Sequence, residues 1–281
     1  MKPILITGAS GNVGSRIVKK LAAAGHEVRA FDRGKGVDPG ANVEVVVGDY
    51  DDAASVAKAV DGVDVLYLLS AGPDLARHEA NVIAAAKKAG VKRIVKHSVA
   101  GAQYGGHPIA NWHQAGEKLL AESGVAWTVL RPGSFASNAL MWADSIRAQS
   151  VAYGNLGDAS LPVIDPNDIA DVAVKVLTTS GHEGKAYDLT GPESLTSAQQ
   201  AELLGAAVGR KVSFVNVPDE AAKDAMSKMG MPPVFVDAML QMIGALRGIG
   251  RLEPTGDVEK LLGRKPGTFA DWAKANAAAF K

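Results

Sequence analysis

From residue 2 to about residue 130, short runs of β-branched and apolar residues alternate with longer alanine-rich stretches whose apolar positions recur every three or four residues. The first kind of run fits strands buried on both faces, the second fits amphipathic helices. The pattern predicts strands at 3–7, 27–31, 43–47, 63–69, 93–98 and 126–130, with helices at 13–24, 52–60, 74–89 and 109–123. Gly25, Gly90 and Gly124 stand where three of those helices should stop, since glycine accepts the left-handed conformation that closes a helix. Strand and helix in strict alternation imply parallel strands joined by crossover helices. Beyond Arg131-Pro132-Gly133 the alternation lapses, and Asp165-Pro166-Asn167-Asp168, Gly191-Pro192 and Met231-Pro232-Pro233 cut the chain into shorter pieces. The expected organisation is a first domain over 1–133 and a smaller lobe over most of 134–281, interleaved with the sheet.

Composition narrows the function classes. The 30 basic and 30 acidic side chains balance, which leaves no surplus of positive charge for a nucleic acid. The absence of cysteine removes disulfides, thiolate nucleophiles and cysteine-ligated zinc. The six histidines, at 26, 78, 97, 107, 113 and 182, have no paired ligand spacing on one helix, so no metal site is expected. No apolar run is long enough for a signal core or a membrane span, which points to a soluble, cytoplasmic protein, monomer or homodimer. Neither a G-x-S-x-G elbow nor a P-loop is present.

The first strand runs straight into Gly8-Ala9-Ser10-Gly11-Asn12-Val13-Gly14, a G-x-x-G-x-x-G loop that opens a helix. In such a loop Gly8 makes the tight turn, Gly11 lets the backbone approach a pyrophosphate, and Gly14 lets helix and strand pack closely. The helix N-terminus adds unpaired N–H groups and the positive end of its dipole. Strand, loop, helix and a second strand ending in an acidic residue together define a Rossmann-type unit over the first 33 residues, and its ligand class is NAD(P)(H). At the end of the second strand Asp32 and Arg33 pull in opposite directions. A carboxylate accepts from the ribose hydroxyls of NADH and repels a 2′-phosphate, whereas an arginine pairs with that phosphate. Dual use is open, with NADPH placed ahead of NADH. Asp49, in Gly48-Asp49-Tyr50 after the third strand, either meets the adenine edge or caps the helix that starts near Asp51-Asp52.

With these motifs in hand, the chain resembles the atypical short-chain dehydrogenase/reductase superfamily. Within it the chain is most similar to the NmrA-like group, on the side of the triphenylmethane reductases and NAD(P)H:quinone oxidoreductases. The resemblance runs nearly the whole length. It rests on Thr7 to Gly14, Gly48-Asp49, Ser70-Ala71-Gly72-Pro73, His113-Gln114-Ala115-Gly116-Glu117, Thr128 to Gly133 and Gly181 to Leu189. It implies a doubly wound parallel sheet, an α/β fold with a small C-terminal substrate lobe. It further implies that Thr7, Gly8, Ser10, Gly11, Asn12, Val13 and Gly14 line the phosphates and that Arg33 meets the adenosine phosphate. Asp49, beside Tyr50, then meets the adenine, Ser70, Ala71 and Gly72 flank the nicotinamide, and Ser98 sits beside it. Ser98 reads equally well as a serine that ends a strand by bonding its own backbone.

One departure bears on the chemistry. The superfamily's Tyr-x-x-x-Lys pair should open the helix near 109–120, and the chain there reads Ile109-Ala110-Asn111-Trp112-His113-Gln114-Ala115-Gly116-Glu117. Tyr104 lies nearby, but Pro108 stands four residues on, where a lysine is needed. Reduction of ordinary ketones needs that proton donor, because an alkoxide is a strong base at neutral pH. Flat, electron-poor acceptors such as quinones and cationic dyes need it much less, so the expected activity is hydride transfer from NAD(P)H to a small aromatic acceptor. His113 is then a proton donor near pH 7, or a histidine at a helix start with no chemistry. Tyr104, Trp112, Phe135, Asn138 and Trp142 are the pocket candidates, each also readable as packing. The alternative is a non-catalytic NAD(P) sensor that docks a protein partner, and the methionines within 221–250 are its candidate surface, or else core or cleft filling. The acidic cluster Asp165, Asp168 and Asp171 reads as a turn and cap that opens a helix.

Overall fold

The computed structural model describes residues 2–34, 36–37 and 40–281. The chain divides into two compact units, one of residues 1–105, 110–132 and 166–188, the other of residues 106–109, 133–165 and 189–281.

The first unit is built on β1 (Ile4–Thr7), β2 (Val28–Asp32), β3 (Val43–Val47), β4 (Val65–Leu68), β5 (Arg93–His97) and β6 (Ala126–Pro132). They lie in the order β3-β2-β1-β4-β5-β6, each neighbouring pair parallel, and β7 (Lys185–Leu189) forms the far edge beside β6. The order reverses at β1, which makes the carboxyl ends of β1 and β4 the topological switch point, the place where doubly wound sheets bind ligands. The helices are α1 (Gly14–Ala23), α2 (Ala53–Val60), α3 (Leu75–Ala89), α4 (Pro108–Glu122) and α5 (Pro166–Thr178). Every element expected before residue 130 is present within two residues of its expected ends, and Gly25, Gly90 and Gly124 all have positive φ.

Strand periodicity sorts the side chains. Leu5, Leu66, Leu68 and Ile94 project to one face, where they join Val56 and Val60 of α2, Val82, Ile83 and Ala86 of α3, and Leu120 of α4 in an apolar core. Helix α1 buries Ile17, Val18 and Leu21 and packs on α5, with Lys20 Nζ 2.6 Å from Asp171 Oδ1. Helix α5 starts at Pro166, as the Asp-Pro-Asn-Asp turn implied.

The second unit carries short pieces. Val151–Gly154 pairs in parallel with Ser213–Asn216, and Leu161–Pro162 pairs antiparallel with Ser194–Leu195. Its core gathers Ile146, Val163, Leu204, Phe269, Trp272 and Phe280. The helix Ser197–Val208 begins in a full capping box, Thr196 with Gln199, which satisfies two N-terminal donors. In the helices Asp219–Lys228 and Pro233–Ile249 Met226 is buried, Met239 and Met242 are half-buried, and Met229 is exposed. The bidentate Arg247–Asp219 pair, at 2.7 Å on both arms, ties these two helices together.

Candidate functional site

The glycine loop is shaped by space as much as by torsion. A Cβ on Gly14 would stand 2.1 Å from the Gly8 carbonyl oxygen, and one on Gly8 would meet Leu69 Cδ2 at 2.7 Å, with the Gly8 φ at +62°. Gly11 N–H donates to the Gly8 oxygen at 3.0 Å, which closes the turn that leads into α1. No side chain caps α1 and no acidic residue stands in its first turn; Ser15 N–H donates to the Gly11 oxygen at 3.0 Å, and the positive end of the helix dipole is left uncompensated for an anion. The Thr7 hydroxyl is committed elsewhere. It accepts from Leu69 N–H at 2.8 Å and lies 3.2 Å from the Tyr67 and Leu69 oxygens, fixing the spacing of β1 and β4 at their carboxyl ends.

Asp32 and Arg33 part company in the structure. One Asp32 oxygen, Oδ2, accepts from both Ser10 N–H at 3.1 Å and Ser10 Oγ at 2.6 Å, so the carboxylate braces the glycine loop. Arg33 is exposed, and among the described residues no hydrogen bond or ion pair holds it. Of the two readings of Asp49, the helix cap falls to its neighbour. Asp52 Oδ1 accepts from Ala54 N–H, whereas Asp49 Oδ1 accepts from Asp51 N–H in a local turn. Tyr50 donates to the Leu69 oxygen at 2.5 Å and stacks on His78 with centroids 5.2 Å apart. Burial pushes its phenol up to about 12.

Toward the carboxyl ends of the strands, the α3–α4 face of the sheet changes character. Two residues beyond Leu68 comes Ser70, and two beyond Ile94 comes Lys96, both buried. On α3, Glu79 occupies the same stripe as Leu75, Val82 and Ile83. Lys96 Nζ donates to Glu79 Oε1 at 2.5 Å, and both side chains have no exposed surface. Ser70 Oγ lies 3.4 Å from the same oxygen. Glu79 Oε2 has no partner and presses on α4 where Gly116 has no side chain, for a Cβ there would lie 1.9 Å away. Burial raises the Glu79 carboxyl and lowers the Lys96 amine, two shifts in the same sense.

Beside this pair Ser98 Oγ donates to Glu117 Oε1 at 2.5 Å, and Arg131 grips the same carboxylate at 3.0 and 2.6 Å. Ser98 therefore bonds across to α4 rather than to its own strand. His113 is buried, its Nδ1 has no partner among the described residues, and burial, then the Lys96 charge, hold its imidazolium down to about 2, so the ring is neutral at pH 7. On the other face, Tyr67 OH meets His97 Nδ1 at 2.6 Å, and burial lowers that histidine to about 3.

These two histidines set a pH dependence. Each binds a proton in the unfolded chain near pH 6.5 and none in the folded one until far lower pH. Their contribution is complete above about pH 6.5 and is lost as pH falls toward the folded values, by about 1.4 kcal/mol per histidine per pH unit. The melting temperature is expected to fall steadily below about pH 6.5, and His113→Leu to flatten that slope in a pH series of thermal melts.

The remaining pocket candidates are scattered. Trp112 is half-buried on α4, and Tyr104 is 84% exposed in a turn of the first unit. Phe135, Asn138 and Trp142 belong to the second unit, where Trp142 packs on Phe214 at 6.0 Å. Lys96, Glu79 and Arg131 escaped the sequence reading. The available signal was a charged residue on an inward position of a buried strand, facing another on the apolar stripe of a helix.

A glycine-rich loop with room only for glycine, a helix without a side-chain cap behind it and a reversal of strand order beside it define a dinucleotide-binding protein. The family model described as NAD(P)H-binding matches residues 8–180, and the chain belongs to that family. It is 40% identical to an NAD(P)H azoreductase of Xenophilus azovorans over 99% of both chains. Its fold matches the NADPH complex of an NADPH-dependent quinone oxidoreductase from Escherichia coli with a TM-score of 0.85, at 30% identity over 97% of this chain and 99% of that one. It matches the NADP(H) complex of a Citrobacter triphenylmethane reductase with a TM-score of 0.86, at 26% identity over 98% and 99%. The resemblance to the triphenylmethane reductases and NAD(P)H:quinone oxidoreductases read from the motifs is borne out. No helix among the described residues is long and apolar enough to cross a membrane.

Proposed function

We propose that this chain is an NAD(P)H-dependent reductase that hands hydride to a flat, electron-poor aromatic acceptor, with NADPH preferred. The carrying observation is a complete phosphate loop beside a site that has no tyrosine–lysine donor and whose histidine is neutral. Such a site can position two reactants but has no exposed acid of ordinary strength, which suits acceptors that spread or cancel the incoming charge. The names of two relatives, quinone oxidoreductase and triphenylmethane reductase, describe acceptors of that kind, and azoreductase names a further electron-poor aromatic acceptor. Bound at the loop, the nicotinamide supplies the hydride. The chain's own part is to hold the pyrophosphate on the α1 N-terminus through Gly8 to Gly14 and to shape the nicotinamide side with Ser70 to Gly72.

The preference for NADPH follows from the split at the end of β2. Asp32 is engaged by Ser10, and Arg33 is left to pair with a 2′-phosphate. A charge-assisted hydrogen bond of this kind contributes about 1.5–3 kcal/mol, so Arg33→Ala is expected to raise KM for NADPH by roughly 10- to 100-fold. KM for NADH should hardly move. Initial rates of NADPH and NADH oxidation by wild type and variant, against a panel of quinones and dyes, check both the activity and the preference. Equal loss with both cofactors refutes the role given to Arg33.

A further inference from the structure

The charged pair Lys96–Glu79 has no place in a reaction that needs hydride alone. Proteins rarely bury two charges without solvent, since removal from water costs several kcal/mol per ion and is repaid only by good geometry with the remaining lone pairs satisfied. Here Glu79 Oε2 has no partner among the described residues. The groups that face the pair are Ser70 from the loop after β4, His97 of β5, His113 and Glu117 from α4, and Tyr50 more remotely. The His97 backbone oxygen accepts from Lys96 Nζ at 3.5 Å, and the one hydroxyl among these in hydrogen-bond range of the Glu79–Lys96 contact is Ser70, in the loop assigned to the nicotinamide side.

We propose that Glu79 and Lys96 share a proton that leaves through the Ser70 hydroxyl to the reduced acceptor, which suits the site to azo compounds. This rests on the reductase reading above and names its substrate class. Hydride added to one nitrogen of an azo bond breaks the N=N π bond and leaves an electron pair on the other nitrogen, a strong base. That nitrogen takes the Ser70 proton, Ser70 takes the proton between Glu79 Oε1 and Lys96 Nζ, and solvent later restores it. The balance is azo compound plus NAD(P)H plus one proton, giving the hydrazine and NAD(P)+. A cationic triphenylmethane dye makes the useful contrast, because hydride neutralises its central carbon and no proton is needed. Neither Glu79 nor Lys96 touches the acceptor; they position and supply a proton through Ser70. Gly116 and the buried position of Lys96 next to Ile94 are then parts of a device that keeps this proton out of bulk water.

The test compares wild type with the charge-free double variant Glu79→Gln/Lys96→Met, which keeps volume and removes the shared proton. The ratio of azo-dye to cationic-dye turnover is expected to fall by about 100-fold in the variant, the usual range for loss of a positioned proton donor. The solvent isotope effect on azo reduction should appear in wild type only. Independently of turnover, infrared spectra of the NADPH-bound protein should show a carboxylic-acid carbonyl band that the variant lacks. Equal loss with both dyes, or an unchanged ratio, overturns the proposal, and so does a wild type that reduces the cationic dye but no azo compound. A wild type that reduces neither dye nor quinone defeats the reductase reading itself, and the infrared band then still shows whether the pair holds a proton.

Discussion

Alanine in place of Gly14 is expected to weaken dinucleotide binding by roughly 10- to 100-fold, the effect of about 1.4–2.8 kcal/mol of overpacking where nothing can yield. The added Cβ would lie 2.1 Å from the Gly8 carbonyl oxygen and 2.9 Å from its carbon, both backbone atoms. Relief requires either α1 to back away from β1 or the Gly8 peptide to rotate. Gly8 is itself boxed in by Leu69, so the turn that presents Gly11 to the phosphates is the part that distorts. Gly25→Ala makes the control. Gly25 has φ +82° and open space around the Cβ position, so the substitution strains the end of α1 without entering the loop. It should cost stability and leave the affinity alone. Titration of NADPH into both variants, followed by nicotinamide fluorescence, separates the two effects. An unchanged affinity in Gly14→Ala would refute the close approach.

The second large effect concerns Lys96. Lys96→Met leaves Glu79 without its partner in a site with no solvent, and removing one partner of a buried pair costs about 3–5 kcal/mol. The loss should grow as pH rises above the ordinary carboxylate range, where the unfolded chain's carboxyl ionises and the buried one resists. Glu79→Gln leaves Lys96 unpaired instead and should cost a comparable amount. The double variant should recover most of the loss, because two apolar or neutral groups of the same volume need no partner. Urea denaturation of the four proteins gives the coupling energy directly. A cost below about 1 kcal/mol for either single variant would mean that water reaches the pair.

Much of this was legible in the chain. The alternation of strand and helix up to residue 130 carries its own evidence, since parallel strands read as unbroken apolar runs and crossover helices as three-to-four periodicity. The phosphate loop was legible for the same reason, being a constraint on backbone written in residue type. The acidic turn at Asp165 likewise announced α5. What escaped depends on contacts between distant positions. That Ser10 engages Asp32 follows from how the loop folds back on β2, 22 residues away, and no spacing rule states it. His113 looked like a proton donor because its ordinary pKa is near neutral, yet its face of α4 is buried beside Lys96, which no local pattern reveals. The strands of the second unit are two to four residues long, too short for alternation to register, and Val151–Gly154 finds its partner some 60 residues later.

Direct passage of hydride from the dinucleotide proposed to sit at Gly8–Gly14 to an aromatic acceptor is tested by a single turnover with NADPH deuterated at the transferable position of the nicotinamide and a cationic triphenylmethane dye, with the product read by mass spectrometry. Deuterium is expected on the central carbon of the leuco dye, one atom per NADPH consumed. Tight binding of NADPH with no deuterium transferred to this dye or to any quinone would contradict it and make the chain a sensor of dinucleotide rather than an enzyme.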